Sequence, residues 1–514
     1  RSYGTDEIIV IIHNSPALTP LLLLAVAISI PVLAIKKTSV AYPVAMAASL
    51  FSVMISAYNM FRVWESGPLT YHFGGWIPPI GIEYVLDSLS AFVALVVNVV
   101  AFVVLCHAGG LKGGEISGKS VPYYSLVLLF LCGANGIVMT GDLFNLYVFL
   151  EIFALAGYGL IGIGEKQAPV AAFRYLIMGT VGASFYLLGL GFLYIITGSL
   201  NMADVRNILP LVYSNPAVAA ALSLMVIGMG IKMAIFPLHG WLPDAYTYAP
   251  STTSALVAPI GTKVAAYVII RILFFVFDIK FVSHTWPITD LIAWLAAIGI
   301  IYGSVMAMAQ NELKRMLAYS SVAQIGYIGL GIGLANPLGY IGAVLHILNH
   351  AFMKGALFLV AANIRKNSGH SDISKLDASY RKKLPWSMAA FTLAALSMIG
   401  LPPTAGFFSK WYLALGAIDK GNWVFLAVIL ISSLLNAVYF FRILEKVYLV
   451  PPPAQKAGED LPPETNKREG SLIGEEKYSL MIPAVVLSFS LLLLGLLNAN
   501  IVKGIIQRII PLGM

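Results

Sequence analysis

Apolar residues along this chain fall in runs of about 20, the length at which a helix crosses a hydrocarbon core of ~30 Å. Read from the N-terminus, these runs predict about 14 transmembrane helices. They lie near 17–35, 40–61, 84–107, 122–140, 142–163, 170–197, 217–236, 253–277, 287–309, 315–334, 338–364, 386–416, 422–449 and 479–499. The longer polar connections are 62–83, 108–121, 198–216, 365–385 and 450–477. The last holds Pro451-Pro452-Pro453 and a run of mixed charge, and reads as a solvated loop. The expected class is an all-α membrane protein with nothing left over for a soluble domain.

Composition sharpens this. Only 11% of the residues are charged, against about a quarter in a soluble domain. The net charge of +8 invites a nucleic-acid reading, but no connection is long enough to build a reading head. A positive-inside bias accounts for it better. With the N-terminus outside, Lys36-Lys37, Lys314-Arg315 and the Arg365–Lys383 cluster all fall on cytoplasmic loops. An even helix count then puts both termini on the outer side of the cell membrane. Cys106 and Cys132 lie in apolar stretches without Cys-x-x-Cys spacing, which argues against an iron–sulfur, haem or zinc cofactor. The first apolar run lacks the basic leader and cleavage site of a signal peptide, and Arg1 in place of Met points to a missing N-terminal piece.

Basic residues remain inside the apolar spans at Lys232, Lys263, Arg271, Lys354 and Lys410. Arg271 is close enough to a helix end to snorkel. The others cost about 2.5–3.5 kcal/mol each at the bilayer centre and need a reason. At 1.5 Å per residue, Glu151 sits roughly 13 Å into its helix, Lys263 roughly 16 Å from the start of its own, and Lys410 roughly 15 Å from an end. The spacing predicts a buried row at midplane depth. Isolated ion pairs between helices are the plainer alternative.

Prolines fall beside this row. Pro237 cannot donate to the carbonyl of Met233, and Pro402 and Pro403 free those of Met398 and Ile399. Irregular backbone at membrane depth persists only where protein or water covers it, so each break predicts a wet pocket next to a lysine. The breaks are five helices apart, as two five-helix repeats would give. The divisions expected are 1–121 for helices 1–3, 122–277 for repeat one, 278–449 for repeat two and 450–514 for the loop and last helix. Pro259, four residues before Lys263, is a further candidate kink. His346, His350 and Lys354 share one helical face. Without the Glu of His-Glu-x-x-His or a third ligand nearby, the histidines read as proton carriers in a polar path rather than as a zinc site. His239 and Asp244, just past the first break, are accessory candidates.

The stretches 141–151 (GDLFNLYVFLE), 232–245 (KMAIFPLHGWLPDA), 312–321 (ELKRMLAYSS), 346–354 (HILNHAFMK) and 406–410 (GFFSK) resemble the antiporter-like subunits of respiratory complex I. The same family includes the Mrp-type sodium/proton antiporters and the archaeal membrane-bound hydrogenases. The likeness runs from about residue 75 to 450. It implies two inverted five-helix repeats with discontinuous helices 7 and 12. It also implies a proton relay in which Glu151 pairs with Lys232, Lys263 is central and Lys410 is the exit. Protons would pass from Lys263 through His346 or His350. One relative has Glu where this chain has Lys410, and the most distal complex I subunit carries a long lateral helix after its core; both features favour another branch. The run 74–84 (GGWIPPIGIEY) looks most like the D-type Mrp subunit and its hydrogenase counterpart.

No redox cofactor site, P-loop or nucleophile constellation is visible. Energy for transport would come from an ion gradient or from partner membrane subunits, with protons, or protons and sodium, as the cargo. A self-sufficient cation/proton carrier and a quinone-binding or scaffolding subunit are the rival readings.

Overall fold

A computed structural model describes residues 14–111, 115–452, 477–511 and 513–514 of the 514. The solvated loop expected at 450–477 falls almost wholly on residues outside the described ones. Among the described residues, 13 helices are long and apolar enough to cross a membrane. They begin with α1 (Ser15–Leu33), α2 (Ala41–Ser66), α3 (Ser88–Ala108), α4 (Ser120–Met139), α5 (Leu143–Gly162) and α6 (Ala168–Thr197). Next comes α7 (Pro216–Met233), continued after an irregular turn by the short α8 (Leu242–Tyr248). Then follow α9 (Ser251–Arg271), α10 (Ile288–Met308), α11 (Leu313–Leu334) and α12 (Pro337–Ser368). The span expected at 386–416 is split into α13 (Pro385–Ile399) and α14 (Ala405–Asp419), each of 15 residues and too short to cross alone. Two further helices, α15 (Trp423–Leu449) and α16 (Tyr478–Leu496), complete the set.

The third span starts later than its apolar run suggested. Glu83–Leu86 forms β2, antiparallel to β1 (Leu69–His72) in the register Leu69↔Leu86 to His72↔Glu83. Its burial alternates, as a two-residue period requires. Asp87 then opens α3 by accepting the Ser90 backbone N–H at 2.9 Å, while the Ser90 hydroxyl receives the Asp87 N–H at 2.8 Å.

One backbone staple occurs twice. Asp142 caps α5, and the chain beyond α6 returns to it: Leu143 N–H donates to Leu200 O at 2.8 Å and Met202 N–H to Gly141 O at 2.9 Å. Glu312 caps α11, and the chain beyond α12 does the same: Leu313 N–H donates to Ser371 O at 2.8 Å and Ile373 N–H to Asn311 O at 2.7 Å. In each case an acidic cap satisfies helix-end N–H groups that lipid cannot.

Burial decides which helices can hold charge. Every residue of α9 is buried, as is the whole membrane-crossing window of α12, whereas most of the windows of α1, α2 and α16 are partly or fully exposed. Polar side chains join the interior helices: Asn98 and Asn135 exchange amide bonds of 2.8 and 3.0 Å between α3 and α4, and His107 meets Asn363 at 2.7 Å between α3 and α12. Arg271 does not snorkel as expected. It is buried, donates to the Tyr267 hydroxyl at 2.7 Å and forms an ion pair with Asp87. A carboxylate at the start of α3 is a better partner than distant headgroups, because it meets the guanidinium without drawing the side chain out of the packing.

Close approach of α6 and α7 rests on small residues. A Cβ at Gly182 would stand 2.9 Å from the Gly228 carbonyl oxygen, and one at Gly189 would stand 2.7 Å from that of Ala221. Gly191 on the same helix α6 has nothing within 4 Å of such a Cβ. Gly228→Leu is therefore expected to lower stability by about 1–3 kcal/mol through overpacking, read as a lower unfolding temperature in detergent. Gly191→Ala is expected to leave that temperature unchanged or slightly higher. Equal behaviour of the two variants would show that close packing of α6 on α7 does not matter.

Candidate functional site

The site is built around the two interrupted spans. Helix α7 ends at Met233 because Ala234 turns into the left-handed region at φ 61° and Pro237 follows without an N–H. The Trp241 indole N–H reaches back to the Ile231 carbonyl at 2.8 Å. Lys232, the last basic residue of α7, points into the protein. Its Nζ donates to the Tyr158 hydroxyl at 3.2 Å and stands 4.0 Å from Glu151 Oε1. That carboxylate oxygen has no hydrogen-bond partner among the described residues. The expected Glu151–Lys232 pair is thus present but open, the tyrosine holding the ammonium more closely than the carboxylate does.

At the second break α13 ends at Ile399, Gly400 takes φ 93°, and Pro402-Pro403 leads into α14. The carbonyls of Met398 and Ile399, the two that the prolines leave without helical donors, both accept from Lys410 Nζ at 2.9 Å. The same ammonium donates to Ser433 Oγ at 3.2 Å and lies 4.8 Å from the centre of the Tyr327 ring. Here the lysine itself occupies the gap that water was expected to fill. Beside the first break a cavity of about 450 Å³ does touch Gly230, Ile235 and Leu238, but Val226, Ile227 and Ile269 make its walls apolar.

Lys263 lies on α9, which runs on through Pro259 as one helix. Its Nζ donates to Ala258 O at 2.6 Å and lies 3.4 Å from Thr262 Oγ1. On α12 the shared face is realised. His346 meets Ser409 Oγ at 2.9 Å through Nδ1 and Gln324 Oε1 at 3.0 Å through Nε2, so it ties α14, one residue before Lys410, to α11. The His350 ring stacks on it with centroids 5.8 Å apart, and neither of its nitrogens has a partner among the described residues. Lys354 donates to Leu317 O at 2.7 Å and to Ser320 Oγ at 2.5 Å. Lys232, Lys263, Lys354, Lys410, His346 and His350 are all buried.

The accessory candidates behave differently from one another. His239 is buried, with its ring 4.9 Å from that of Tyr302, and its Nδ1 has no partner among the described residues. Asp244 is engaged by two arginines, Arg174 at 2.6 Å and Arg315 at 3.3 Å, and so clamps α8 to α6 and α11. Sequence reasoning missed Lys314, which it placed in a cytoplasmic loop. It is fully buried, and its Nζ donates to Ala249 O at 2.6 Å. Glu312 gave a usable signal: a capping carboxylate there makes Lys314 the second residue of a helix rather than part of a loop.

Comparison with known proteins converges on one group. Residues 140–436 match the family described as NADH:quinone oxidoreductase/Mrp antiporter, TM. The NADH-quinone oxidoreductase subunit N of Desulforudis audaxviator (strain MP104C) is 48% identical over 86% of this chain and 88% of its own length. The D-type subunit of the Na(+)/H(+) antiporter of Bacillus subtilis (strain 168) is 32% identical, over 77% of this chain and 79% of its own. Among solved structures, a chain of the Mrp complex from Dietzia sp. DQ12-45-1b superposes with a TM-score of 0.84 at 26% identity, covering 96% of each chain. A chain of the membrane-bound sulfane sulfur reductase, an archaeal respiratory membrane complex, gives the same TM-score and coverage at 28% identity. A multi-pass membrane protein with two interrupted spans and a basic interior, this chain belongs to the NADH:quinone oxidoreductase/Mrp antiporter family of membrane subunits.

Proposed function

We propose that the chain translocates protons, with sodium as a candidate counter-ion, as one antiporter-like subunit of a larger membrane complex. The single observation that carries this is the buried set formed by Lys232, Lys263, His346, His350 and Lys410, with Glu151 standing 4.0 Å from the first lysine. Ionisable groups at this depth are too costly to be incidental. Repeat one (122–277) then contributes Glu151, Lys232 and Lys263, and repeat two (278–449) contributes His346, His350 and Lys410. The recurring staple at Asp142 and Glu312 supports that division.

The mechanism follows from the open pair. A lysine removed from water is driven toward its neutral form, and a carboxylate brought close favours the charged one. At an effective dielectric of about 20, an ion pair at about 4 Å is worth about 4 kcal/mol, or about a thousandfold in proton occupancy. Displacing Glu151 by a few ångströms therefore loads or unloads Lys232. The released proton passes to Lys263 and then, through the paired histidines, to Lys410 as the exit. Both termini are assigned to the outer side, which leaves the Arg365–Lys383 cluster on the cytoplasmic face. The relative 48% identical to this chain is named as an NADH-quinone oxidoreductase subunit. That favours a redox-driven complex over the D-type antiporter that the run 74–84 suggested.

Lys232→Ala and Glu151→Ala are each expected to abolish proton translocation in membrane vesicles that carry the assembled complex, with the amount of assembled complex unchanged. Full translocation in either variant would remove the pair from the mechanism. Lys263→Ala is expected to stop translocation as well, and normal pumping there would rule out a central relay. Lys410→Ala takes the ammonium from two buried carbonyls; Met398 O keeps the Asn436 amide at 3.4 Å, and Ile399 O is left unpaired at about 1–3 kcal/mol. It is expected to lose both transport and thermal stability, whereas loss of stability alone would make Lys410 a plug rather than an exit.

A further inference from the structure

We infer that Gln324 is a positioning residue that holds the neutral His346 ring with its proton on Nε2. The transported proton is then bound and released at Nδ1, on the side of α14. This rests on the relay proposed above and chooses between its two histidines, a choice that the order Lys263, histidine, Lys410 leaves open.

Three helices meet at this ring. Gln324 on α11 places its Oε1 3.0 Å from His346 Nε2, and Ser409 on α14 places its hydroxyl 2.9 Å from Nδ1. The same hydroxyl reaches the Gly406 carbonyl at 3.1 Å. Gly406 is itself pressed against α13: its N–H donates to Ser397 Oγ at 3.1 Å, and a Cβ there would collide with the Ser397 carbonyl. Ser409 is thereby fixed to the start of α14. The imidazole packs against the rings of Tyr327 and His350, with centroids 5.4 and 5.8 Å away. Gln324, His346 and Ser409 are all buried.

Two features separate this role from ordinary packing. The Gln324 amide nitrogen has no hydrogen-bond partner among the described residues, so the side chain's oxygen bonds His346 while its other end is left unsatisfied. That is destabilising, and methionine would fill the same space without it. An acceptor facing Nε2 requires the proton to sit there, because the bond made by one ring nitrogen decides the state of the other. The second feature is that Ser409 has two acceptors for one hydroxyl proton. While the ring is neutral, that proton points to Nδ1. When Nδ1 gains a proton, the ring donates to Ser409 Oγ and the hydroxyl turns to Gly406 O. The ring then holds one proton more, with no change of oxidation state. Every ring nitrogen is bonded in both states, and both bonds strengthen when the ring is charged. His350 has no such arrangement, since neither of its nitrogens has a partner among the described residues.

The test uses the intact complex in lipid bilayers, labelled with 15N-histidine and read by solid-state NMR, with His346→Asn identifying the His346 signals. The neutral wild-type ring is expected to carry its proton on Nε2 and to leave Nδ1 bare; a proton on Nδ1 instead overturns the proposal. Gln324→Met removes the acceptor at nearly constant shape. It is expected to move the proton to Nδ1 and to slow proton translocation in proteoliposomes about tenfold, with assembly and unfolding temperature unchanged. An unchanged tautomer or a wild-type rate in that variant overturns the proposal. Ser409→Ala gives an independent reading should Gln324→Met assemble poorly: the proton is expected to stay on Nε2 while translocation slows, and a proton found on Nδ1 there overturns the proposal as well. His346→Leu and Lys263→Ala run alongside. If they block transport while Gln324→Met runs at full rate, the positioning role alone fails; if they too transport normally, the relay fails with it.

Discussion

A carbonyl that loses its helical donor inside a bilayer has no water to turn to, and that requirement shapes this protein more than any other. At the two breaks three prolines release carbonyls, and the chain answers differently at each. At the second break the ammonium of Lys410 takes both of the carbonyls released by Pro402 and Pro403. At the first, Lys232 donates to the Tyr158 hydroxyl instead, while the Trp241 indole holds the neighbouring Ile231 carbonyl rather than the Met233 carbonyl that Pro237 releases. One lysine is therefore part of the backbone's own bonding, and the other remains available to Glu151 and Tyr158.

That asymmetry says where a switch can sit. Lys410 is fixed by two carbonyls and a serine hydroxyl, and moving it would break three hydrogen bonds at once. Lys232 is held by a single hydroxyl, with a carboxylate within reach but not in contact. A small displacement changes its electrostatic environment at little cost elsewhere. The easily perturbed group lies beside the first break and the rigid one beside the second. Between them along the chain come α9 and α12, the two helices among the described residues whose membrane-crossing windows are wholly buried.

Much of this was legible in the sequence, for identifiable reasons. Apolar runs located the spans because hydrocarbon thickness sets their length, and prolines beside lysines marked both interruptions. The Glu83–Leu86 strand was hidden because an apolar run reads the same whether it begins as strand or helix. Arg271 was misplaced because its partner Asp87 lies far away in sequence and was counted as part of another span's start. Lys314 was misplaced for the opposite reason. The positive-inside pattern counts basic residues by loop, and a lysine at the second position of a buried helix looks in sequence like one at a headgroup.

Partner choice at the two breaks is what no pattern could reveal. Met398 and Ile399 were identified as orphaned acceptors from Pro402 and Pro403 alone, and Lys410 was identified as a buried charge from its depth. Each was assigned a separate need for water. The structure shows that the two needs cancel, since a desolvated ammonium lacks acceptors and a broken helix lacks donors. Bringing one to the other removes both costs. The same reasoning explains why the first break is the more exposed to change. There the lysine donates to a tyrosine hydroxyl instead, which leaves its charge for a movable carboxylate to meet.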